Sequence, residues 1–94
     1  MIETDLEWGE AKNRDEFIQI GSACGYSLAK QMRARCPAGM SVAIGTFLGE
    51  ATASLSDARA EMLSRGVTAS DADAWQDAAM DVVNRAAKFW MALA

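Results

Sequence analysis

From Asn13 onward, apolar positions recur every three or four residues. Phe17, Ile20, Cys24, Leu28 and Gln31 follow this spacing, Ile18, Gly21 and Met32 widen the same face, and Gln19, Lys30 and Arg33 fall opposite. That period predicts an amphipathic helix over about 13–36. Asn13 with Glu16 three residues on suits its start. Lys30, Arg33 and Arg35 suit its end, where cations complement the helix dipole. Cys36-Pro37 closes it, because a residue before proline avoids the α region.

A second period runs over about 40–65. Ile44, Phe47, Leu48, Ala51, Leu55, Ala58 and Met62 form its apolar face, while Glu50, Asp57 and Glu61 point elsewhere. Arg65-Gly66 is a plausible stop, with glycine in the left-handed position after the last turn. The third period, about 68–93, opens on Thr68 with Asp71 three residues later. Its apolar face holds Ala72, Trp75, Ala79, Val82 and Val83, then Ala86, Phe89, Trp90 and Leu93. Thr4 with Glu7 predicts a short capped turn before the first helix.

No sustained alternation of apolar and polar residues competes as a strand signal. Short connections make consecutive helices antiparallel. The expected fold is therefore all-α, a three-helix antiparallel bundle forming one domain over residues 1–94. A homodimer sharing a larger core is the alternative, because alanine supplies much of the 51% apolar content. A core of small side chains gains little per residue from burial.

Glycine changes this picture. Gly21, Gly25 and Ala29 are spaced by four, as are Gly45, Gly49 and Ala53. Glycine inside a helix costs about 1 kcal/mol relative to alanine. A row without bulk lets another backbone approach closely. The expectation is that Gly21 and Gly25 pack against Gly45 and Gly49, joining the first two helices. The other readings are a seam between two chains, or room for a ligand.

Charge and chemistry narrow the function. A net charge of −4 argues against direct binding to nucleic acid or an anionic membrane, and points to a basic protein partner. The N-terminal "MIETDLEWGE" lacks the apolar core of a signal peptide. No apolar run is long enough to span a bilayer. Cys24 and Cys36 on one helix would lie roughly 18 Å apart. They read as reduced thiols, which fits the cytoplasm. There is no histidine, which removes Ser-His-Asp and Cys-His catalysis and histidine metal sites. No phosphate-binding, dinucleotide or calcium loop is present. No cofactor, metal or catalytic residue is expected.

Two features remain. Asp73, Asp77 and Asp81 recur every four residues, about 6 Å apart along the helix axis, with Arg85 positioned to relieve the end of the row. They form a candidate docking face for basic groups. Trp8, Phe89, Trp90 and Met91 form a candidate apolar interface to a partner or a second copy. The expected function is a small acidic, non-enzymatic interaction module. Its most specific form is a regulator or inhibitor of a basic nucleic-acid-handling protein, such as a phage-type antagonist of a host defence complex. The alternatives are an assembly subunit of a helical homo-oligomer, and a small-molecule-binding bundle or enzyme accessory chain.

Overall fold

The structure, a computed structural model, describes residues 8–93; the capped turn expected at Thr4–Glu7 lies outside them. A 3-10 turn at Trp8–Glu10 leads into α1 (Arg14–Arg35), α2 (Ser41–Ser64) and α3 (Ala69–Ala92). No strand occurs among the described residues. The three helices pack as an elongated bundle, 43 × 21 × 17 Å between Cα extremes.

The helix ends follow local chemistry. Asn13 Oδ1 accepts from the Glu16 amide at 3.0 Å, and Thr68 Oγ1 accepts from the Asp71 amide at 3.2 Å. Each satisfies one amide that the first turn leaves unpaired. α2 begins at Met40 without a side-chain cap. It ends in a Schellman motif. The Val67 amide donates to the Met62 carbonyl and the Gly66 amide to the Leu63 carbonyl, with Gly66 at φ +93°.

α3 is the shared element. α1 packs along it extensively, α2 packs on it less, and α1 and α2 scarcely meet. α1 and α3 run parallel with a constant offset: Gly21 meets Trp75, Gly25 meets Ala79, and Cys36 meets Trp90. α2 runs against α3, as Thr52 faces Met80, Ser56 faces Gln76, and Arg59 faces Asp73.

This arrangement corrects the expected pairing of the glycine rows. A Cβ at Gly21 would overlap the Trp75 carbonyl oxygen. One at Gly25 would stand 2.6 Å from the Ala79 carbonyl oxygen and 2.7 Å from Val82 Cβ. The first row therefore lets α1 settle onto the α3 backbone. Gly45 and Gly49 have nothing within 4 Å of a Cβ among the described residues. They do not touch α1 because both α1 and α2 direct their apolar faces at α3.

The core holds Leu28, Met32, Ile44, Leu55, Met62 and Trp75, all fully buried, closed by Phe17, Phe47 and Val83. Trp75 Nε1 has no hydrogen-bond partner among the described residues. An orphaned buried donor costs about 1–3 kcal/mol, which the burial of the whole indole offsets. Ile18 and Phe89, placed on apolar faces by their spacing, are exposed.

Candidate interaction surfaces

The Asp row is only partly available. Asp73 Oδ1 accepts from Arg59 Nε of α2 at 2.7 Å. Asp81 Oδ1 accepts from Arg85 Nε at 3.1 Å, the pairing its spacing predicts. Asp77 is exposed and has no ion-pair partner among the described residues. Arg59 was the missing piece, because only the α2–α3 register brings it opposite Asp73.

The four expected apolar interface residues do not form one surface. Trp8 is half-buried at the end where α2 stops, with the Arg65 guanidinium carbon 5.8 Å from its ring centroid, a cation–π contact. Trp90 lies at the opposite end. Its Nε1 donates to the Cys36 carbonyl at 2.8 Å, and its own carbonyl accepts from the Gly39 amide at 2.9 Å. Gly39 has φ +79°, so this clamp closes on a turn that needs glycine. Met91 packs beside the core. Phe89 alone stands out, at 66% exposed.

Phe89 shares a groove with a second exposed aromatic. Tyr26 on α1, 67% exposed, stands at one end of a groove of about 340 Å³ between α1 and α3, and Phe89 stands at the other. Ala29, Val82 and Ala86 make the floor, and Arg33, Arg85 and Asp81 reach its rim. The groove lies away from Gln76 and Met80, which face α2. Arg33 has no hydrogen-bond or ion-pair partner among the described residues.

Charge is sorted along the long axis. The half that contains the α1–α2 turn, residues 26–52 and 81–93, carries Lys30, Arg33, Arg35, Arg85 and Lys88 against Glu50 and Asp81. In the other half, residues 8–25 and 53–80, eight acidic residues face four basic ones. The overall charge of −4 conceals this polarity. One signal for it was present in the chain: no acidic residue occurs between Glu16 and Glu50.

The thiols offer no reactive centre. Cys24 is fully buried, and loss of solvation pushes its pKa from 9.0 up to about 11. Cys36 is buried, with Sγ 3.5 Å from the Ala43 carbonyl oxygen. Both are unpaired cysteines. No cluster of three or more metal-ligating side chains occurs among the described residues. Among them, too, no helix is long and apolar enough to cross a membrane. Comparison with known proteins found no matching family model, no similar curated protein and no similar solved structure.

Proposed function

We propose that this chain is a small non-enzymatic protein–protein interaction module, a regulator or inhibitor that docks onto a basic, nucleic-acid-handling protein. The observation that carries this reading is the sorting of charge along the bundle. Asp57 and Glu61 on α2 and Asp73 and Asp77 on α3 are exposed in the acidic half, Glu61 engaged by Arg65 and Asp73 by Arg59, so this half presents a net negative surface. Such a surface steers a basic partner and fixes its approach. Asp77 contributes most per residue, since Arg59 and Arg85 already engage its neighbours. Unpaired, buried thiols suit the cytoplasm as the place of action.

Affinity capture from the source cell tests this, with the wild-type chain and a D73N/D77N/D81N variant as parallel baits. The wild-type chain is expected to retain a basic protein that salt releases and that the variant fails to hold. Equal retention by both baits overturns the acidic-face reading.

A second reading, an assembly subunit of a helical homo-oligomer, is favoured by the outer face of α2. There Gly45 and Gly49 meet open space, and Val42 is 83% exposed. Sedimentation across a concentration series separates the two readings: a monomer at every concentration removes the second.

A further inference from the structure

The groove between Tyr26 and Phe89 lies in the other half of the molecule from the acidic surface, and its chemistry is the opposite. Two large aromatic side chains stand mostly in solvent at its two ends, one on each helix, although both helices have buried positions nearby. Tyr and Arg are enriched among the residues that dominate binding energy at protein interfaces, and Phe is enriched in interface composition. The floor of Ala29, Val82 and Ala86 is apolar and shallow, so it admits an inserted side chain. At about 340 Å³ the space is at the small end for a ligand pocket. It holds one or two apolar side chains of a segment that continues along the groove.

The rim sets the charge of that segment. Arg33 is unengaged among the described residues, Arg85 is shared with Asp81, and Lys30 and Lys88 lie one turn or less away on the same two helices. Two arginines therefore line a groove that contains one carboxylate, and Arg33 is the cation left without a charge partner there. A guanidinium fork matches a carboxylate in two parallel hydrogen bonds. We propose that this groove docks an acidic, amphipathic segment of a partner protein. Its apolar side chains would lie on the Ala29, Val82 and Ala86 floor between the Tyr26 and Phe89 ends, and flanking carboxylates would reach Arg33 and Arg85.

A single-stranded nucleic acid also combines negative charge with flat rings. The observations favour the peptide. A uniformly charged strand must pass Asp81 at the rim, and leaving the groove toward the α2–α3 loop it enters the acidic half. A peptide can place its carboxylates at the two arginines and be neutral elsewhere.

Panning a library of short random peptides on the immobilised full chain tests the proposal, with an R33E chain as the counter-selecting surface. The expected result is enrichment of sequences that flank Leu, Phe or Trp with Asp or Glu. Labelled peptide from that pool should lose about tenfold or more in affinity to R33E and to F89A. Both residues are exposed, so circular dichroism should show the two variants folded. Recovery of peptides that bind R33E equally well, or of neutral or basic peptides alone, overturns the proposal. So does a labelled oligothymidylate that binds the wild-type chain in an Arg33-dependent way, which assigns the groove to nucleic acid. A dimer that F89A dissociates overturns it as well, because a second copy then covers the groove.

Discussion

Gly21 lies directly beneath the carbonyl of Trp75, so close that a single added carbon would overlap the oxygen. Gly25 repeats the contact one turn on, against the Ala79 carbonyl. Gly45 and Gly49 share the same spacing but meet nothing. The same substitution should therefore act with opposite signs. G21A and G25A gain helix propensity but force two backbones apart, and each is expected to lose about 2 kcal/mol net. G45A and G49A keep the propensity gain alone and should each add about 1 kcal/mol. Urea titrations of the four variants, followed by helical circular dichroism, check this through the shift of the midpoint. A loss of stability in G45A or G49A would mean that the α2 face is occupied after all.

Trp90 ties the C-terminal turn of α3 to the α1–α2 connection. Its indole donates to the Cys36 carbonyl, and its backbone carbonyl receives the Gly39 amide. Phenylalanine at position 90 keeps a ring but cannot donate. W90F is expected to cost about 1–2 kcal/mol, from the lost hydrogen bond and some buried area. The Gly39 amide should also exchange faster with solvent in this variant, because its acceptor sits on the loosened turn. Hydrogen-exchange mass spectrometry over residues 36–41 reads that effect, and unchanged exchange there would remove the clamp.

The three helices were legible because their signals are local. Caps at Asn13 and Thr68, Pro37 after the first helix and Gly66 after the second sit where the observed boundaries fall, to within one residue. Which faces meet was less legible, because periodicity gives each helix a face and no partner. Glycine spacing alone could not distinguish a row pressed on α3 from one left in solvent. Composition hid the second surface. Ala74 and Ala87 are buried and Phe89 is not, so bulk was a poor guide on an alanine-rich helix. Arg33 read as the polar side of α1 and Tyr26 belonged to neither face, and they became part of a groove only once α3 was placed parallel to α1.

Cys24 makes stability depend on alkaline pH. Its folded pKa of about 11 stands above the ordinary thiol value of 9.0 because burial disfavours the thiolate. Between those two values the unfolded chain releases the proton and the folded chain keeps it. Stability is thus complete below pH 9 and falls as pH rises toward 11, at up to about 1.4 kcal/mol per pH unit from this group. In C24A the fall across this interval should be shallower by that amount, whatever the variant loses at neutral pH from its small cavity. Denaturant midpoints measured at pH 8, 9 and 10 for both proteins test it. Parallel curves would show that Cys24 is not the group responsible.

The acidic row offers a way to separate folding from binding. Asp77 sits four residues from both Asp73 and Asp81, so it is repelled from each side. Replacing it with lysine turns two repulsions into two attractions. D77K is expected to raise stability by roughly 0.5–1 kcal/mol at low salt, with the gain shrinking as salt is added. D73N instead removes the carboxylate that engages Arg59 across the α2–α3 seam. That pair is partly exposed, so the loss should stay within about 1 kcal/mol. If the acidic half docks a basic partner, D77K should bind it worst of all single variants while being the more stable protein. Thermal melts at two salt concentrations, paired with binding assays on the captured partner, give both readouts. A D77K chain that is more stable and binds equally well would leave the row a solvated helix face and move the partner elsewhere.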